Sequence, residues 1–258
     1  MNTFVIFTLL VVLMLTGMPI SISLGLTVLS FLFFLTQVPI ESVALKLFTG
    51  IEKFEIMAIP FFILAGNFLT HGGVAKRMIR FATSMVGHFH GGLGLGGVLA
   101  CALFAAVSGS SPATVVAIGS ILLPAMVKAG FPNRFGAGVI TTSGALGILI
   151  PPSIVMVMYS VSTNTSVGAL FMAGVIPGIM LAIMLGMTTW YRARRNNYPR
   201  MPKESWAERL KALRESIWGL LLIIIVMGGI YTGMFTPTEA AAMSAVWAFV
   251  CAVFIYKD

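Results

Sequence analysis

Two short stretches of this sequence gather hydroxyl, glycine and proline residues inside otherwise oily chain. The first, SGSSPAT, places Ser108, Gly109, Ser110, Ser111, Pro112 and Thr114 in a run with no charged residue between Arg80 and Lys128. The second, TTSGALGILIPPS, carries Thr142, Ser143, Gly144, Gly147, Pro151, Pro152 and Ser153. Neither contains Asp or Glu, so the chemistry on offer is neutral oxygen. Hydroxyls and carbonyls freed where a helix breaks suit Na⁺, which we place on Ser108, Gly109, Ser110, Ser143, Gly144 and Gly147. The helix that begins after each break offers unpaired N–H groups and partial positive charge, suited to a carboxylate. Pro112 and Pro152 fit a first helical turn, and Ser111 is the expected N-cap of the first of these helices. The same residues would also serve close helix packing or simple kinks. Two such clusters in neighbouring elements favour a site.

The elements that must position them follow from composition. Of 258 residues, 58% are hydrophobic and 9% charged, against about 25% charged in a soluble domain. With a mean hydropathy of +1.00, the chain is an all-α integral membrane protein, since its apolar runs far exceed the ~10-residue alternation of a membrane barrel. The formal charge of +8 reads as cytoplasmic loop charge that sets topology, not as a nucleic-acid surface. Half of the sixteen Lys and Arg lie between Arg192 and Arg214, so that stretch faces the cytoplasm. There Ser205 and Glu208 make a capping-box pattern. Trp206, Leu210, Leu213 and Ile217 follow at helical spacing, predicting a separate amphipathic connector helix over 192–216.

Counting outwards gives spans over 4–35 (one span, broken or kinked at Gly17 and Pro19), 54–72, 136–164, 168–191, 217–235 and 239–256. The start, Met1-Asn2-Thr3, has no basic residue and no cleavage site, so it is expected to be a first membrane helix and not a signal peptide. Residues 93–127 have basic flanks on both sides. Each arm around SGSSP has about 15 residues, short of the ~20 a bilayer requires. A re-entrant hairpin with its tip near mid-membrane is therefore expected. The span 136–164 should unwind near 146–152, because Pro152 lacks an N–H and clashes with the preceding turn. Irregular backbone at that depth must be buried or line a cavity.

Other signals carry less. GLGLGG at 92–97 fits a dinucleotide pattern, but no strand precedes it and no acidic residue follows; close helix packing is expected. Asn164-Thr165-Ser166 matches a glycosylation sequon, and a short exposed turn explains it equally well. Cys101 and Cys251 have neither metal nor disulfide spacing and read as packing residues. His71, His88 and His90 fall in the basic loops, as solvated side chains. A serine hydrolase on Ser110 or Ser111 would need a base within hydrogen-bond reach, and these histidines lie outside the apolar hairpin core.

Four stretches, PFFILAGNFLTHGGVAKR (60–77), HGGLGLGGVLACALFAAVSGSSPATVVAIG (90–119), SGALGILIPPSIVMVMYSVST (143–163) and TGMFTPTEAAAMSAV (232–246), carry a resemblance over nearly the whole chain. With them the chain resembles the large membrane subunit of tripartite ATP-independent periplasmic (TRAP) transporters. That resemblance implies an ion-transporter-type fold of two inverted repeats with an elevator-like transport domain in the bacterial inner membrane. It implies Na⁺-driven uptake of C4-dicarboxylates or related organic and sugar acids, delivered by a periplasmic solute-binding protein. A small four-helix membrane subunit would support the scaffold, and no cofactor beyond the coupling ion is expected. It assigns SGSSPAT and SGALGILIPPS to ion and substrate binding. Residues 1–191 would form the first repeat and 217–258 the start of a second, with TGMP (16–19) and TGMF (232–235) opening each. The family chain is longer, so this one is expected to be truncated. The alternative to a working permease is then a structural membrane module.

Overall fold

The computed structural model describes residues 2–35, 39 and 41–256. Lys257 and Asp258, where the incomplete second repeat was expected to end, lie outside the described residues. The chain divides into two compact units, residues 1–53 and 54–258; every regular element described is helical.

In the first unit α1 (Asn2–Leu15) and α2 (Ile20–Leu35) are separate helices, followed by α3 (Glu41–Ile51). The expected single span over 4–35 is not formed. Gly17 takes a left-handed φ of 81°, and the chain reverses, so Val5, Ile6 and Leu9 face Thr27, Phe31 and Phe34. A left-handed glycine ends the first helix, and Pro19 two residues on stands just before α2, so the same helix axis is not resumed. Helices of 14 and 16 residues then pair as a hairpin.

The second unit opens with a 3₁₀ turn, Phe54–Met57, and continues through α4 (Ala58–His71) and α5 (Val74–Val86). Next come α6 (Gly92–Ser108) and α7 (Ser111–Lys128). The broken span is α8 (Asn133–Gly144), α9 (Leu146–Leu149) and α10 (Ile154–Thr163). Then follow α11 (Val167–Arg195), α12 (Trp206–Tyr231) and α13 (Pro237–Val250), which ends in a π-helical turn, Cys251–Tyr256. Among the described residues five helices are long and apolar enough to cross a membrane, six when the bent α8–α10 segment counts as one. The chain is a multi-pass integral membrane protein.

Lipid tails are as apolar as leucine, so close approach through small residues, not burial as such, holds these helices. Gly72 lies against Ala252, and Gly219 against Val74 and Met78. The GLGLGG segment does the packing expected of it: Gly96 abuts Thr83, and Gly97 abuts Leu122. Cys101 and Cys251 are free and buried. Asn164 ends α10 with a left-handed φ of 55°, as the exposed-turn reading requires.

The connector reading needs correction. Nothing between Trp206 and Tyr231 breaks a helix, so the expected 192–216 element is absorbed into the ends of α11 and α12, with a loop between them. The expected apolar stripe points outward, Trp206 being 78% and Leu210 67% exposed. Its core-facing side is instead Arg209, Ala212, Ser216 and Gly219, the last three small enough to sit close on α5. Ser205 does cap the helix, accepting from the Glu208 N–H at 3.3 Å. Arg80 of α5 bridges to Glu215 at 2.8 Å and Glu208 at 3.5 Å. The helix α5 itself went unread in the sequence, although Val74, Ala75, Met78, Ile79 and Ala82 mark its buried face.

The basic loops converge at one end of this unit. Tyr198 packs on Phe131 and Phe135, the Met201 N–H donates to the Gly87 carbonyl at 3.1 Å, and Arg200 meets the His90 ring. His88 is half-buried with its Nδ1 unpartnered, not solvated as expected. His90 is held below its usual pKa, by desolvation first and then by the charges of Arg200 and Arg194. Folding thus favours the neutral ring. The associated stabilisation is complete above the unfolded value near 6.5 and is lost as pH falls below it. Arg200→Ala is expected to raise the His90 midpoint towards that value, read from imidazole resonances across a pH titration. An unmoved midpoint would show that Arg200 does not set it.

Candidate functional site

The two polar clusters meet. The arms α6 and α7 fold back on each other, Gly97 against Leu122 near the base and Ser108 against Thr114 at the tip. With 17 and 18 residues they are longer than expected, about 25–27 Å at 1.5 Å per residue, and α7 is one of the helices long enough to cross a membrane. Gly109 closes α6 with φ 61°, and Ser110 is extended. Ser110, not the expected Ser111, caps α7: its Oγ accepts from the Ala113 N–H at 3.4 Å, while Ser111 is already helical. Pro112 sits in the first turn as expected.

At the tip the Thr114 hydroxyl donates to the Ser110 carbonyl at 2.8 Å. Ser108 Oγ lies 3.2 Å from Thr114 Oγ1. Both side chains are fully buried.

In the broken span the unwinding is shorter than expected. Residues Leu146–Leu149 keep one helical turn, and the chain is extended at Ile150 and again at Ser153. The residue before a proline avoids the helical region, which puts the break at 150–153 and not at 146–152. Helix axes on its two sides differ by 42°. Gly147, read as part of the unwound segment, stays helical, as Gly144 does, and both let the hairpin tip approach. A Cβ on Gly147 would stand 2.8 Å from the Ser111 nitrogen, and one on Gly109 would stand 2.8 Å from the Pro152 carbonyl oxygen.

One backbone hydrogen bond locks the two breaks together: the Ile154 N–H donates to the Gly109 carbonyl at 3.0 Å. That bond uses a carbonyl expected to face an ion and an N–H expected to face a carboxylate. Other groups stay open. The residues four ahead of Ser108, Gly147 and Ile148 are Pro112, Pro151 and Pro152, which carry no N–H, so those carbonyls have lost their helical donors. Ser143 and Ser153 are fully buried, and neither Oγ has a hydrogen-bond partner in the protein. Thr142 is not brought in; it is exposed and its hydroxyl donates to the Gly138 carbonyl at 2.8 Å. Among the described residues no group of three or more His, Cys, Asp or Glu side chains could hold a metal ion.

Sequence reasoning missed the backing of the site. Gly66 of α4 lets Ser108 Cβ approach, while Gly174 and Gly178 of α11 receive Leu149, Met156 and Ile150. The last pair is spaced as a small-xxx-small motif, the legible signal for such contact.

Buried, interlocked helix breaks within a helical bundle define a polytopic membrane protein with a polar centre inside its spans. Residues 7–258 match the family model described as the tripartite ATP-independent periplasmic transporter, DctM component; the chain belongs to this family. It is 73% identical to the C4-dicarboxylate TRAP transporter large permease protein DctM of Rhodobacter capsulatus, across 100% of this chain and 62% of that protein. It is 54% identical to the protein of the same name from Vibrio cholerae, across 98% and 56%. Identity to the 2,3-diketo-L-gulonate TRAP transporter large permease protein YiaN of Escherichia coli is 39%, across 94% and 57%. The chain therefore spans less than two thirds of each of these relatives. They are named permeases and not enzymes, so the hydrolase reading falls.

Proposed function

We propose that this chain supplies the first repeat, and the opening of the second, of a permease that couples Na⁺ entry to uptake of a C4-dicarboxylate or related organic or sugar acid. The carrying observation is the pair of interlocked breaks with the unpartnered, buried hydroxyls of Ser143 and Ser153. Neutral oxygens of Ser108, Gly109, Ser110, Ser143, Gly144 and Gly147 would ligate Na⁺ as cargo. The Ser111 N–H and the first-turn N–H groups of α10 beyond Ile154 would face the substrate carboxylate, with Pro112, Thr114, Pro151, Pro152 and Ser153 holding their geometry. The hairpin tip would lie inside the membrane as a re-entrant element, since the charged residues flanking it on both sides, Arg80 and Lys128, are basic. Gly17 and Gly233 both adopt left-handed φ, at 81° and 73°, in Thr-Gly turns joining paired helices. That similarity supports two related halves, and by extension alternating access of elevator type.

The names of the relatives support a dicarboxylate as substrate, and the family's description as a tripartite periplasmic transporter supports partner components. A periplasmic binding protein, a small four-helix subunit and the inner membrane as location are carried over from the family resemblance. The test is uptake in proteoliposomes that hold the entire permease with both partners. Labelled succinate should accumulate with an inward Na⁺ gradient and fall by at least tenfold when K⁺ replaces Na⁺ (about 1.4 kcal/mol of coupling). Uptake indifferent to that replacement would end the coupling claim.

A further inference from the structure

A cavity of about 940 Å³ in the second unit lies away from the helix breaks, between the start of α8 and the end of α11. Arg134, Arg192 and Arg195 line it, together with Tyr191, Asn196 and Tyr198, and none of its lining residues is acidic. None of the three arginines makes an ion pair among the described residues. The start of α8 at the same place has no side-chain cap and no acidic residue in its first turn, leaving its positive end open. Three unmatched guanidiniums beside an open helix start attract an anion that takes several hydrogen bonds, as phosphate does.

The surroundings decide which phosphate. A second cavity of about 380 Å³ shares Arg134, Phe135, Thr188 and Arg192 with the first and continues past Val139 and Leu185. Beside it α11 exposes Ile176 (70%), Met180 (58%), Ile183 (55%) and Met187 (57%), one stripe at helical spacing that runs down to Arg192. A charged pocket at the end of an apolar track has the shape of an amphiphile, not of a free ion. The basic loops that meet at this end of the unit place it at the membrane–water boundary.

We propose that this cavity holds the phosphate headgroup of an anionic phospholipid, with an acyl chain lying along the exposed stripe of α11. Native mass spectrometry of the purified chain tests it, with phosphatidylglycerol, phosphatidylcholine or inorganic phosphate added. Phosphatidylglycerol should be retained at least about tenfold more tightly than phosphatidylcholine. At ~1 kcal/mol per basic residue near the surface, about fivefold each, the double variant Arg192→Gln/Arg195→Gln should lose roughly 25-fold. The double variant Lys211→Gln/Arg214→Gln removes equal charge from α12 and should keep the preference. A photoactivatable phosphatidylglycerol on the unaltered chain should label peptides from residues 176–195, which holds whether or not the variants fold. Equal loss in both double variants, inorganic phosphate bound as tightly as the lipid, or labelling spread over other helices would each overturn the proposal.

Discussion

Replacing Ser143 or Ser153 with alanine is expected to stabilise the protein in sodium-free buffer and to abolish its thermal response to Na⁺. Both hydroxyls are fully buried and have no protein partner. A buried polar group left unsatisfied costs roughly 1–3 kcal/mol, and alanine removes that cost together with the group. A core-packing serine would behave oppositely, losing stability in any salt. If the hydroxyls ligate the ion, Na⁺ at about 100 times its Kd adds roughly 2.7 kcal/mol to the unaltered protein by mass action. The alanine variants should forfeit most of that increment. Melting curves of the assembled permease in matched NaCl and KCl read both effects at once. The expected pattern is a higher midpoint for the variants in KCl and no rise on moving to NaCl. Variants that keep the full Na⁺ increment would remove these two side chains from the ion site.

How much of this arrangement was legible can be judged residue by residue. Prolines set among glycines and hydroxyls announce a break through their missing N–H, whereas Pro124 and Pro177 stand inside α7 and α11 without ending them. Pro112 and Pro151-Pro152 therefore gave both breaks within a few residues. The N-cap was misplaced by one position, since Ser110 and Ser111 have the same capping chemistry and only backbone conformation chooses between them. What composition cannot carry is contact between elements. That the Ile154 N–H would seek the Gly109 carbonyl depends on two segments more than forty positions apart, and nothing local encodes it. Which face of α12 the protein would keep was not legible for a related reason. In water an apolar stripe such as Trp206, Leu210 and Ile217 marks the buried side, but beside lipid the small residues do. Period alone identified the helix and could not say which face the protein kept.

Substitution of Gly109 by alanine is expected to reduce uptake by at least tenfold, far beyond the effect of the same change at Gly130. Two costs apply at Gly109. Its φ of 61° is one that a residue with a Cβ adopts at roughly 1–2 kcal/mol. The Cβ would also stand 2.8 Å from the Pro152 carbonyl oxygen and 3.4 Å from its carbon, both backbone atoms of the other break. Backbone held by two prolines cannot swing aside as a flexible side chain would. The hairpin tip must therefore retreat, and the Ile154–Gly109 hydrogen bond, about 1 kcal/mol net, goes with it. Gly130 isolates the first cost: its φ is 91° and nothing lies within 4 Å of its Cβ position. Comparing the two variants for uptake, with surface biotinylation to normalise for membrane insertion, separates strain from lost contact. Equal loss at both positions would mean that backbone strain alone matters and that the two breaks work without touching. A selective loss at Gly109 would show that transport needs the hairpin tip seated against the broken span, because only there does an added methyl group meet the opposing backbone.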